Sequence, residues 1–160
     1  MEIEPIPQVS SGKVLGLLEY LDDHNGREDI YKLARETHYE FGELLSVIKM
    51  AEMLGLVETP KGDVVIQDLG KKLVKSRITQ RKAIVREQLR RFKLFQILID
   101  SLEKAEDKRL DREAVLEKLS SQLPHEDSQR LFDTLVNWGR YSELLGYSHD
   151  TDKVYLDEGS

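Results

Sequence analysis

The chain has 160 residues, of which 39% are hydrophobic and 34% charged, with a formal net charge of −6 and no cysteine. That suits one or two small domains and excludes disulfides, Cys-ligated zinc and thiol catalysis. No apolar run approaches the roughly 20 residues a membrane span needs. The segment Met1 to Pro7 carries acidic but no basic side chains, so no signal peptide is expected and a cytoplasmic location is.

Residues 1–9 contain Pro5 and Pro7 and no periodicity, and read as an N-terminal arm. Ser10 or Ser11 is placed to cap a helix to about Asp23, with Val14, Leu17, Leu18 and Leu21 inward. Asn25-Gly26 stops it. A second helix is expected over Arg27–Thr37, with Ile30, Leu33 and Ala34 inward. A third starts by Glu40 and turns Phe41, Leu44, Leu45 and Ile48 to the core; Gly55 ends it in a left-handed conformation. Strands are expected at Leu56–Glu58 and Val64–Ile66 around a Pro60–Asp63 turn, and Gly70–Lys75 adds a short helix. A helix–turn–helix followed by a two-stranded hairpin is a winged helix.

The longest helical pattern is Thr79 to Ala105, with Val85, Leu89, Phe92, Phe95, Ile99 and Leu102 as its stripe. Residues 106–109 read as a loop and Asp111 as the N-cap of a helix through Leu119, with Val115, Leu116 and Leu119 inward. Ser128–Leu145 reads as a further helix anchored by Leu131, Leu135 and Trp138 and ended by Gly146. Strands follow near Tyr147 and at Val154–Leu156. Ala51–Leu56 matches Ser142–Tyr147 at the same place in the same element order, which points to tandem units. The expected architecture is mainly α with small β-wings, as two winged-helix units: 10–77, and 78–160 with the long helix at its start.

Charge is unevenly placed. Residues 71–94 hold ten Lys or Arg against Glu87, a net +9 that leaves −15 for the rest. On one continuous helix Lys82, Arg86, Arg90 and Lys93 fall within an arc of about 80° at 100° per residue. That face is a candidate for interaction with an acidic protein surface; a solvated face, a phosphate backbone or an anionic membrane surface are its other readings. On the third helix Val47, Met50 and Leu54 form a second apolar stripe, a candidate face for packing between the halves or against a partner. Glu43 and Lys49 accompany them, which is poor equipment for reading base edges. Trp138 reads as core. Arg140 and Glu143 are either an intrahelical pair or a contact to another surface.

Catalytic and cofactor signals are lacking. Gly12-Lys13 and Gly70-Lys71 have neither the upstream Gly nor the following Ser or Thr of a phosphate loop. His24, His38, His125 and His149 are dispersed, and His149, Asp150 and Asp152 read as a hairpin tip, so no metal is expected. No Ser–His–Asp arrangement can be placed.

Several segments together resemble a known family. They are V-L-G-L-L-E-Y-L at Val14–Leu21, A-E-M-L-G-L-V-E at Ala51–Glu58, G-D-V-V-I-Q-D-L-G-K-K-L at Gly62–Leu73, R-K-A-I-V-R-E at Arg81–Glu87 and N-W-G-R-Y-S-E-L-L-G-Y at Asn137–Tyr147. The pattern resembles the AAA-associated C-terminal domain, typically found behind the ATP-binding subunit of ABC importers of the nitrate, sulfonate and taurine type. It covers roughly residues 8–157, and Trp138, Arg140, Tyr141 and Glu143 carry its most specific part. Where the family has Thr-Pro before the helix glycine, this chain has Gln67-Asp68-Leu69-Gly70, and no ATPase precedes the domain in this sequence. The resemblance implies a non-enzymatic accessory or regulatory module, without cofactor, whose partner is the ATP-binding subunit. A DNA-binding regulator is the alternative, and homodimerisation through apolar stripes is a further possibility.

Overall fold

A computed structural model describes residues 3–157; the expectations for residues 1–2 and 158–160 lie outside the described residues. Two compact units divide the chain: Val9–Arg81, and Lys82–Ser160 with Met1–Gln8. Among the described residues the fold is mainly helical, with two small three-stranded antiparallel sheets. No helix among them is long and apolar enough to cross a membrane.

In the first unit α1 (Ser11–Asp23) buries Val14, Leu17, Leu18 and Leu21, the spacing that gives a helix one core face. It ends where Asn25 and Gly26 take left-handed backbone, at φ 63° and 80°. β1 (Arg27–Asp29) follows at once, so the expected helix over 27–37 shortens to α2 (Ile30–Thr37). Asp29 is the reason. Its carboxylate accepts from the amides of Tyr31 at 2.9 Å and Lys32 at 3.0 Å, which makes it the N-cap and frees the residues before it for a sheet.

After α3 (Phe41–Met53), β2 (Val57–Glu58) and β3 (Asp63–Ile66) form a hairpin around a 3-10 turn at Pro60–Gly62. The expected two strands are three, in the order β1-β3-β2. Arg27 pairs with Val65 and Asp29 with Asp63; Val57 pairs with Ile66. A strand of three residues with two charged exposed positions gives no alternation to read, so β1 is invisible to periodicity. α3 and α4 (Asp68–Lys75) pack on α1. Gly70 of α4 lies against the Leu56 carbonyl, where a Cβ would come within 2.5 Å of the oxygen.

The expected long helix is two helices, α5 (Ile78–Leu89) and α6 (Lys93–Lys104). The buried residues are Val85 and Leu89 in α5, and Leu94, Phe95, Leu98 and Leu102 in α6. Between Leu89 and Leu94 the stripe takes a five-residue step. On one straight helix that step turns the second stripe well away from the first, at about 100° per residue. A turn at 90–92, with Phe92 extended at ψ 128°, restores the phase.

The second unit continues through a 3-10 turn at Glu106–Lys108, β4 (Arg109–Asp111), α7 (Arg112–Gln122), α8 (Ser128–Tyr141), β5 (Leu145–Ser148) and β6 (Lys153–Leu156). Its sheet has the order β4-β6-β5. β4 pairs Arg109 with Tyr155 and Asp111 with Lys153; it runs from the end of the expected 106–109 loop to the expected N-cap, and its two exposed charged positions conceal it as they do β1. The helix expected to reach Leu145 stops at Tyr141.

The two units share one order: helix, strand, helix, helix, hairpin. The sequence match holds in topology but not in register. At the end of α3, Leu54, Gly55 and Leu56 donate to the carbonyls of Met50, Glu52 and Ala51. At the end of α8, Ser142, Glu143 and Leu144 donate to those of Trp138, Arg140 and Gly139. Gly55, at φ 75°, therefore corresponds to Glu143, at φ 60°, and not to Gly146. Gly146 lies inside β5, under the ring of Tyr155, where a Cβ would be 2.2 Å from Cζ.

This register has a thermodynamic signature. A left-handed residue with a Cβ costs about 1 kcal/mol relative to glycine. Gly55→Ala should lower stability by about that much, and Glu143→Gly should be more stable than Glu143→Ala by a similar amount. Chemical denaturation of the three variants checks this; Glu143→Ala more stable than Glu143→Gly would place the reversal elsewhere.

Candidate interaction surfaces

The break between α5 and α6 dissolves the expected basic face. Lys82 and Arg86 lie on α5, Arg90 in the turn and Lys93 at the start of α6. The half-buried Lys82 ammonium lies 3.5 Å from Glu143. Arg86 Nη1 donates to the Ser142 carbonyl at 2.9 Å. Both cations thus sit at the C-terminal end of α8, where they answer the negative end of the helix dipole and an orphan carbonyl. Arg90 pairs with Glu87 at 3.7 Å, both exposed, and Lys93 is exposed. A fifth member of the basic run, Arg81, ties α4 to α1: its Nη2 and Nε donate to Val74 and Ser76 carbonyls at 2.7 and 3.1 Å, and Nη1 pairs with Glu19 at 3.0 Å.

The apolar face expected on α3 also moves. Val47, Met50 and Leu54 are fully buried within the chain, so they offer a partner no surface. Phe41 and Leu45, expected inward, are 40% and 44% exposed. The buried set is Leu44, Val47, Ile48, Met50 and Ala51. α3 carries more apolar residues than one stripe holds, so periodicity alone has two acceptable phases. The exposed Phe41 ring stacks on Tyr31 of α2, centroids 5.7 Å apart and planes 6° from parallel. Tyr31 is 65% exposed. The exposed face of α3 is completed by Lys49 and Glu52.

Trp138 is core, 1% exposed. Glu143 reaches Lys82, while Arg140 is exposed on the outer face of α8. With Tyr141, Asn137, Val136 and Asp133 it lines a shallow groove along that helix. Nothing in the sequence ties Arg112 to this groove; its position at the start of α7, behind the unseen β4, brings it there. Near its end Tyr147 packs edge-on against Phe132 and His149, and its hydroxyl donates to Asp152. No group of three or more His, Asp or Glu among the described residues is placed to hold a metal ion.

If Lys82 and Arg86 serve the fold, removing them must cost stability. Arg86→Ala should lose about 1–2 kcal/mol, the value of a charge-assisted bond at a helix end; Arg90→Ala should stay within about 0.5 kcal/mol, as exposed pairs do. Equal, negligible effects in denaturant titrations would return Arg86 to the free surface.

Tyr147 gives a pH test. Its bond to Asp152, and then desolvation, raise its pKa above the usual 10. The stability linked to this shift is full below the unfolded value near 10 and is lost as pH rises through the higher folded value. Absorbance titration should show Tyr147 ionising late, and Asp152→Asn should bring it back toward the ordinary range. An unchanged profile in that variant would reject the bond as the cause.

A family profile for the C-terminal AAA-associated domain matches residues 31–148. No curated protein and no solved structure matches the chain. From Tyr31 on α2 to Ser148 at the end of β5, the match takes in most of both units, and the chain belongs to the C-terminal AAA-associated domain family.

Proposed function

We propose that the chain is a non-enzymatic, cytoplasmic accessory module that associates with the ATP-binding subunit of an ABC importer and regulates it. The observation that carries this reading is family membership over residues 31–148. The element order of each unit, helix, strand, helix, helix and short hairpin, supports reading each as a winged helix. The exposed stack of Tyr31 on Phe41, extended by Leu45 one turn further along α3, is the surface that suits such an association. Aromatic and aliphatic side chains clustered in this way mark contact sites more often than isolated ones do.

The second reading is a DNA-binding regulator. Its support is α8, whose exposed positions include Gln129, Arg130, Asn137 and Arg140. Against it stand Asp133 on the same face and Glu126 and Asp127 at the helix start. The corresponding face of α3 offers Lys49 alone as a cation, and a groove reader needs bidentate donors backed by phosphate contacts.

Affinity isolation of the tagged chain from its native lysate separates the two. An ABC ATP-binding subunit should be recovered, and a Phe41→Ser/Leu45→Ser variant should lower its yield at least about tenfold, as loss of a central apolar anchor does. Recovery of DNA fragments sharing one sequence, with no ATPase, would reverse the conclusion.

A further inference from the structure

Two arginines that border one depression in the second unit, Arg112 and Arg140, have guanidinium groups without polar partners among the described residues. Arg112, the first residue of α7, lies with Cζ 5.1 Å from the centre of the Phe132 ring. Its Nε is closed off from solvent and takes no hydrogen bond. Among the described residues no hydrogen bond or ion pair reaches the guanidinium of Arg112 or that of Arg140. A guanidinium partly removed from water and stacked on an aromatic ring, with its donors unused, calls for an acceptor from outside the chain.

Both arginines line one depression of about 230 Å³, with Phe132, Val136 and Tyr147 among its walls. It is continuous, through Asp133, Val136 and Arg140, with the groove that reaches Asn137 and Tyr141. Phe132, which Arg112 covers, and Arg140 are about two turns apart along α8, and both arginines border the same depression. Arginine forks match a carboxylate in two parallel bonds.

We propose that this α8 groove docks an extended peptide segment of a protein partner. One Asp or Glu carboxylate of the segment is taken by Arg112 and Arg140, and its apolar neighbours lie on the half-buried Val136 and Tyr147. The assignment rests on the reading of the chain as a protein-interaction module and gives that reading a second site, on α8, beside the Tyr31–Phe41 surface of the first unit. Charge chooses the peptide over nucleic acid. Asp133 lines the same groove, and Asp150 and Asp152 stand exposed on the neighbouring hairpin. A duplex brings one negative charge per about 1.7 Å of axis and would set several against these carboxylates. A peptide brings a single carboxylate to the arginines and neutral groups to the rest.

The 160-residue chain panned against a random short-peptide library tests the proposal. Selected peptides should carry Asp or Glu beside Leu, Ile or Phe. One of them, titrated into isotope-labelled protein, should shift the Nε–H signals of Arg112 and Arg140 saturably. Arg140→Gln, at an exposed position that folding does not need, should weaken binding at least about tenfold, as loss of a charge-assisted bond does. Arg112→Gln should do the same. Selected peptides without acidic residues, no selection at all, or wild-type binding by both variants would overturn the assignment. So would inorganic phosphate or a random DNA duplex shifting the two signals where the peptides do not. If both variants still recover the ATP-binding subunit as the wild type does, the groove is wrong and the association stands. If the wild type recovers none while peptide binding holds, the association is wrong and the groove stands.

Discussion

The chain reversal that ends the third helix of each unit is the constraint on which both sheets depend. In three residues the backbone leaves a helix and enters the strand that pairs along the hairpin, and one of the three must be left-handed. The first unit uses Gly55, which has no Cβ to strain. The second uses Glu143 and accepts the strain, and Lys82 and Arg86 gather at that helix end, on the Glu143 carboxylate and the Ser142 carbonyl. Once the reversal is set, the hairpin register follows, and with it the docking of β1 and β4 on the far edges of β3 and β6.

This accounts for what the sequence did and did not reveal. Stripes at helical spacing placed α1 and α8, because each carries one apolar face and no more. α3 carries two; of the residues expected inward Leu44 and Ile48 are buried, while Phe41 and Leu45 are exposed and Val47, Met50 and Ala51 complete the core face. The α5–α6 turn was missed because Phe92 and Ile99 gave a second stripe that a straight helix could satisfy; both are half-buried, while Leu94 and Leu98 are buried. The internal repeat was found by its glycines and placed three residues out. Gly146 is required by the ring of Tyr155, not by a left-handed turn. A glycine marks a steric need, and the letters do not say which need it is. β1 and β4 are set by pairing with strands more than thirty residues away, which no local pattern records.

The basic run misled for a related reason. A count of charges treats each cation as free, yet Arg81, Lys82 and Arg86 are committed to carbonyls and carboxylates within their own units. Arg112 and Arg140, which border the α8 depression without a polar partner, lie outside that run, and neither stands out in the net charge. Burial of Arg112 Nε against Phe132 distinguishes it from a solvated surface cation, and only tertiary structure could reveal that.

The corrected register also bears on why the chain has two units. With Gly55 on Glu143, the core positions correspond closely: Leu44 with Phe132, Val47 with Leu135, Met50 with Trp138, and Ala51 with Gly139, all buried. The exposed positions do not. Phe41 corresponds to Gln129, Leu45 to Asp133, Lys49 to Asn137 and Glu52 to Arg140, and all eight are exposed. One scaffold thus presents an apolar face on α3 and a polar, forked-donor face on α8. Core positions are held by packing, which penalises changes of volume and polarity alike. Exposed positions have no such restraint, so two units with one core can carry different faces. Two copies serving one surface would need the same face twice; two different faces on one scaffold suit a module that engages chemically distinct surfaces.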